Sequence, residues 1–161
     1  MVHLKQSIKM NKLHSLFEYE LLSEENLHSL TEMTVELWPG CDFDEEKSNW
    51  KKLMVKPLHF VELTKMNNVY IGFIHVSVRH EFVEGSDFES VAYLEGIYVK
   101  SAYRKVKAAS QMLTHAEKWA KLQGLMQIAS DTELTNSLSQ NFHKNSGFTE
   151  VNRIVCFIKN L

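Results

Sequence analysis

Val91-Ala92-Tyr93-Leu94-Glu95-Gly96-Ile97-Tyr98-Val99-Lys100-Ser101-Ala102-Tyr103-Arg104-Lys105-Val106-Lys107-Ala108-Ala109-Ser110-Gln111 is the stretch that decides the fold. Its first half reads as a strand, rich in β-branched and aromatic residues from Val91 to Lys100, with Glu95 and Gly96 at its centre. A glycine inside such a run marks a bulge, or a close approach by another backbone or a ligand, because it has no side chain to pack. Bulging leaves amides unpaired. Those of Ile97, Tyr98 and Val99 are candidates to bind an extended ligand as a further strand, or to polarise a carbonyl in an acyl transfer. From this segment alone, a buried strand with a purely structural bulge reads equally well.

The second half is a basic turn entering a helix with the periodic series Ala109, Leu113, Ala116 and Ala120. A strand that turns into a helix N-terminus presents free N–H groups and the positive end of the helix dipole, which together make an anion site. Arg104, Lys105 and Lys107 crowd three cations against that dipole. A bound polyphosphate removes the conflict.

Working upstream, Leu16 to Leu22 alternates as a first strand. Ser23 is a plausible N-cap for a helix with the stripe Leu27, Leu30, Thr34 and Leu37, ended by Pro39. Trp38 falls at that helix end, beside Asp42, Asp44, Glu45 and Glu46. It is either a core residue or a flat platform for a sugar ring. Asp44 can cap a second helix through about Val55, with Trp50, Leu53 and Met54 inward. Two strands follow, Leu58 to Thr64 and Val69 to Val83, around the polar turn Lys65 to Asn68. The loop beyond carries Glu81, Glu84, Asp87 and Glu89 with no lysine or arginine between them, which on its own reads as a solvated loop.

Downstream, Met126 to Asp131 reads as a fifth strand. A residue at its carboxyl end points into the ligand crevice of an open α/β sheet; the lesser reading of Asp131 is as a cap of the next helix. That helix carries Asn136, Phe142 and His143, with Gly147 as its C-cap. Phe148 to Lys159 supplies the last strands, a hairpin turning near Val151 to Arg153.

The chain has 161 residues, read as a polar N-terminal extension over 1–12 and a single domain over 13–161. A net charge of -2 argues against general nucleic-acid affinity. Residues 1–12 hold no apolar run, so neither a signal peptide nor a membrane span is expected. Cys41 and Cys156 form no disulfide framework or metal spacing, which points to the reducing cytoplasm and to no metal.

The bulged strand, the Tyr103-Arg104 turn with Ala109 five residues on, and the later Asn136 and Asn145-Ser146-Gly147-Phe148 resemble the GNAT superfamily of acetyl-CoA dependent N-acetyltransferases. Within it, Leu37-Trp38-Pro39, Phe82-Val83-Glu84-Gly85, Tyr93-Leu94-Glu95-Gly96, Ser130-Asp131-Thr132-Glu133 and Asn152-Arg153-Ile154 resemble the aminoglycoside 6′-N-acetyltransferases. The likeness spans nearly the whole chain after about Leu13.

The resemblance implies an α/β (α+β) GNAT fold: a mixed, mostly antiparallel sheet splayed at a β-bulge, with about four helices. It implies acetyl-CoA as cosubstrate, held by Ile97, Tyr98, Val99, Arg104, Lys105, Lys107, Ala108, Ala109 and Asn136. Trp38, Phe82, Glu95, Asp131 and Asn152 fall on the acceptor side, and the last hairpin is often a homodimer contact in the family. His143 stands where many relatives carry the tyrosine that protonates the departing thiolate. One residue departs from the pattern: Lys107 occupies a glycine position of the pyrophosphate turn. It adds an ionic contact to a phosphate provided the turn keeps ordinary helical angles.

Acetyl transfer needs a group to take the amine proton and donors to stabilise an oxyanion. Either Glu95 through a water or Asp131 directly fills the first role, and amides near Tyr98 the second. Direct attack in a ternary complex is expected, because neither cysteine has a visible activating arrangement. Two other readings stay open: a GNAT enzyme for another amine (polyamine, peptide or metabolite), and a non-catalytic coenzyme A or aminoglycoside binder.

Overall fold

Two asparagines set the first hairpin. Asn67 and Asn68 both take positive φ, 53° and 61°, the backbone that a tight turn needs to match strand twist. They join β2 (His59–Met66) to β3 (Val69–Arg79), and β1 (Glu18–Leu21), β4 (Val91–Val99) and β5 (Ile128–Ala129) complete one sheet in the order β1-β2-β3-β4-β5. Strands β1 to β4 are antiparallel neighbours, and β5 runs parallel to β4. The helices are α1 (Leu27–Leu37), α2 (Phe43–Leu53), α3 (Ala108–Leu122) and α4 (Ser137–Asn145). This computed structural model describes residues 16–161, so the expected extension over 1–12 lies outside the described residues.

Strand alternation sends side chains to two faces, and each face buries a helix layer. Ile74, Val76, Ala92 and Leu94 pack against Met112, Leu113, Ala116 and Ala120 of α3. Val61, Leu63 and Phe73 pack on the other face against Leu27, Leu30 and Met33 of α1 and Trp50 of α2. Trp50 is satisfied there, its indole N–H donating to Thr34 Oγ1 at 2.9 Å. Glu62 of β2 and His115 of α3 add a polar tie, with His115 Nδ1 2.9 Å from Glu62 Oε1.

The structure corrects several expected boundaries. Asn26, not Ser23, precedes α1; its side chain accepts the Ser23 N–H and donates to the Leu21 carbonyl, pinning the strand exit to the helix start. Asp42, not Asp44, caps α2 by accepting the Glu45 N–H at 2.9 Å. Asp44 then sits in the first turn, where the dipole favours it. Strand β3 ends at Arg79 and does not continue to Val83.

The last hairpin is not formed. Residues 148–161 carry no strand, and Phe157 and Ile158 are 93% and 96% exposed. Only Ile128 and Ala129 of β5 pair with β4, which leaves little ordered edge for another strand of the same chain to join.

Candidate active site

Between β3 and β4 the register slips: His75 faces Gly96 and Val76 faces Leu94, so Glu95 has no partner. A bulge of this kind puts two successive residues on one face of the strand. Both point to the α1 side. A Cβ on Gly96 would lie 2.8 Å from Trp38 Cη2, so the residue is glycine because the Trp38 indole lies on it. Trp38 is 38% exposed. It covers the bulge and keeps a solvent-facing edge.

Glu95 faces Ser77 and Arg79 of β3. Its Oε1 accepts from Ser77 Oγ at 2.6 Å and Arg79 Nε at 3.0 Å, and its Oε2 accepts from Arg79 Nη2 at 2.6 Å. Burial pushes this carboxyl up, but the hydrogen bonds from Arg79 and Ser77 outweigh it and hold the group below the usual carboxylate range. The Arg79 guanidinium also lies 3.4 Å above the centre of the Tyr93 ring. Burial, with the neighbouring Asp131 carboxylate, pushes the Tyr93 hydroxyl up to about 12. Glu95, Arg79, Tyr93 and Asp131 are therefore electrostatic neighbours at this end of the sheet.

That end opens into a cleft of about 460 Å³ lined by Arg79, Phe82, Tyr93, Asp131, His143 and Asn152 among others. Four residues singled out in the sequence, Phe82, Asp131, His143 and Asn152, meet here. Phe82 is 86% exposed and stands at the rim. Asn152 donates Nδ2–H to Glu84 Oε1 at 2.7 Å, tying the tail to the acidic loop. Asp131 is exposed and caps no helix, since the residue before α4 is Asn136.

His143 projects from α4, with Nδ1 2.8 Å from the Ser139 carbonyl oxygen. Nδ1–H is therefore the donor, and Nε2 is buried without a partner. In the neutral ring Nε2 is an acceptor, so protonating a thiolate would require the imidazolium.

The opposite end of β4 carries the cations. Lys100 donates its N–H to the Ile71 carbonyl at 2.8 Å. By strand alternation Tyr98 shares that β3-facing side, while Ile97 and Val99 present their amides to the open side where β5 has diverged. This corrects the expectation for Tyr98, whose amide belongs to the sheet. Arg104 Nε donates to the Val99 carbonyl at 3.1 Å across that open edge. No side chain caps α3, so the amides of Ala108 and Ala109 are left without one. Arg104, Lys105 and Lys107 are exposed around them. Free amides, a helix N-terminus and three cations suit the polyphosphate of a coenzyme. Asn136 uses Oδ1 to accept the Ser139 N–H at 3.0 Å, which leaves its Nδ2 for a ligand.

The turn does not keep helical angles. Lys107 has φ 70° and ψ 13°, and Lys105 has φ 66°. The fold thus keeps the left-handed geometry a glycine would give and places a lysine in it. Lys107→Gly is expected to stabilise the protein by about 1 kcal/mol, the usual cost of a Cβ in this region, measured by urea denaturation. A variant no more stable than the parent would show that the lysine stem makes compensating contacts.

Comparison with known proteins follows this geometry. The Acetyltransferase (GNAT) family profile matches residues 19–148. The chain is 29% identical over 142 residues to an aminoglycoside N(6′)-acetyltransferase type 1 of Serratia marcescens, spanning 88% of this chain and 97% of that protein. It is 34% identical over 133 residues to the enzyme of the same description from Klebsiella aerogenes, spanning 80% and 87%. Among solved structures, AAC(6′)-Iy in complex with the bisubstrate analogue CoA-S-monomethyl-acetylneamine superposes with a TM-score of 0.85 at 28% identity, over 90% of this chain and 99% of that one. The chain therefore belongs to the GNAT acetyltransferase family, in its aminoglycoside 6′-N-acetyltransferase branch.

Proposed function

We propose that this protein transfers the acetyl group of acetyl-CoA to the 6′-amine of aminoglycosides, by direct attack within a ternary complex. The observation that carries the reading is the division of β4: free amides and cations at its carboxyl end, and the Asp131 cleft at its other side. Acetyl-CoA supplies an activated thioester carbonyl. The chain supplies the rest. Arg104, Lys105, Lys107 and the amides of Ala108 and Ala109 hold phosphate charge, and the open-side amides of Ile97 and Val99 hold the extended arm and polarise its carbonyl. Asn136 adds a donor from α4.

On the acceptor side Asp131 meets the amine, Trp38 and Phe82 offer apolar faces to sugar rings, and Asn152 orients the bound hydroxyls from the tail. Glu84, adjoining Asn152, adds negative charge suited to a polycation. The exposed apolar tail, with Val155, Phe157 and Ile158 all more than three-quarters exposed, supports a homodimer in which a second copy covers it. Two exposed, unpaired cysteines among the described residues support work in the reducing cytoplasm.

The test is thiol release from acetyl-CoA with kanamycin and tobramycin against spermidine and a peptide amine. Kanamycin and tobramycin are expected to give kcat/KM at least about 100-fold above the other two. Equal turnover of spermidine would replace the aminoglycoside reading with a polyamine one. Acetyl-CoA binding without thiol release on any amine would leave only a binder.

A further inference from the structure

We propose that Arg79 is a positioning residue of the acceptor cleft: it clamps Glu95 as a fixed, bonded carboxylate, so that Asp131 and not Glu95 meets the acceptor amine. The proposal rests on the transferase reading above and gives the reason that Asp131, of the two carboxylates, takes the proton.

A carboxylate offers about four lone-pair directions, and those of Glu95 already receive Ser77 Oγ–H, Arg79 Nε–H and Arg79 Nη2–H. The Arg79 contact is the two-point fork that guanidinium and carboxylate planes form best. The guanidinium is held from below as well, 3.4 Å over the Tyr93 ring, which restricts its swing. Protonating Glu95 would break the fork and leave a half-buried guanidinium without its counter-ion.

Access gives a second, independent reason. Arg79 lines the cleft together with Asp131, whereas Glu95 is not among the lining residues and its carboxylate is bonded to the guanidinium. An ammonium approaching Glu95 would have to share its carboxylate with the bonded Arg79 guanidinium, and two cations there repel each other. Asp131 lacks such a clamp. None of the ion pairs among the described residues includes it, and its neighbour is the Tyr93 hydroxyl. The groups facing Glu95 are then Ser77 and Arg79 across the bulge, His75 and His59 beyond them, and Tyr93 on its own strand.

The chemistry balances on this assignment. Asp131 takes one proton from the acceptor ammonium, and the freed nitrogen pair forms the bond to the thioester carbon. The carbon–sulfur bond breaks with its pair on sulfur, and the second proton shed by nitrogen ends on that thiolate. Glu95 and Arg79 exchange no proton. They fix the charge and shape of the wall opposite Asp131.

The experiment follows the Glu95 side-chain carboxyl by carbon-13 NMR through a pH titration, assigned with Glu95→Gln, beside pH profiles of kcat/KM for kanamycin. Arg79→Gln should raise the pH at which Glu95 titrates by about 1 to 3 units. It should lower kcat/KM for kanamycin about 10-fold with KM for acetyl-CoA unchanged. Arg79→Lys should restore the Glu95 titration but only part of kcat/KM, since it keeps the charge and loses the fork. In the Arg79→Gln background Asp131→Asn should cost less than in the parent, because freed Glu95 can then accept a proton. A Glu95 that titrates at the same pH in parent and Arg79→Gln would overturn the proposal. So would a Glu95→Gln loss as large as that of Asp131→Asn. A parent enzyme that binds acetyl-CoA and acetylates no aminoglycoside would refute the transferase reading and with it the role of Asp131, while the NMR titration still decides whether Arg79 clamps Glu95.

Discussion

Asp131→Asn is expected to lower turnover on an aminoglycoside by about 100-fold or more, with acetyl-CoA affinity and melting temperature close to those of the parent. Asparagine matches aspartate in size and keeps one carbonyl acceptor, so the cleft keeps its shape and loses only a charge and a proton acceptor. Asp131 is exposed, stands two residues past the end of β5, and caps no helix. The change therefore removes no structural bond from the α4 end. Ser130 supports this separation: its hydroxyl donates to the Leu94 carbonyl at 3.1 Å and anchors the backbone before Asp131 to the bulged strand. The loss should fall on kcat with kanamycin, while calorimetry of acetyl-CoA binding stays unmoved because the cations stand at the other end of β4. Near-normal turnover in the variant would pass the proton to another group, with Glu95 next in line.

Local signals in the sequence found the frame of this site, and only long-range pairing completed it. Gly96 in a β-branched run announced a bulge, and the bulge is there. The reason that position 96 is glycine lies 58 positions upstream in Trp38, which no local pattern connects to it. Asp131 is readable as a site residue from its place at the carboxyl end of a strand, whereas Phe82, His143 and Asn152 come from the family resemblance, and the fold brings all four to one cleft. Arg79 was not singled out. Reading β3 through to Val83 left Arg79 inside a hairpin arm; in fact it is the last residue of the strand, and Phe73, His75, Ser77 and Arg79 alternate onto one face. That alternation was available, but the register that sets Arg79 against Glu95 depends on the bulge slip. Lys107 was legible as a departure from the glycine pattern. Its left-handed backbone was not, because side-chain identity argues against that conformation and the surrounding turn imposes it. The last strands failed for a different reason. A strand's sequence shows that it can pair, and the partner edge decides whether it does.

Acid is expected to destabilise this protein through His75 before its carboxylates titrate, by about 2 kcal/mol between pH 7 and pH 5. His75 is buried beneath the bulge, facing Gly96 in the register, with its ring against Trp50 and its Nε2 3.0 Å from His59 Nδ1. Burial, and then the neighbouring His59, push it down from 6.5 to about 4. The sign follows. The unfolded chain binds a proton below pH 6.5 and the folded one refuses it until about pH 4, so this stability is fully present above 6.5 and is lost as pH falls towards 4. His59, pushed down by burial and by Lys56, acts in the same direction. Glu95 adds its own loss only lower, because its folded value lies below the usual 4.5. Glu62 opposes them, since burial raises its carboxyl and protonation then favours the folded state. Urea denaturation at pH 7, 6 and 5 measures the slope, and His75→Gln, which keeps a polar group near His59 without a titrating ring, should flatten it. An unchanged slope in that variant would move the acid sensitivity elsewhere. A flattened one would assign the acid sensitivity to His75, buried beneath the strand that carries Glu95.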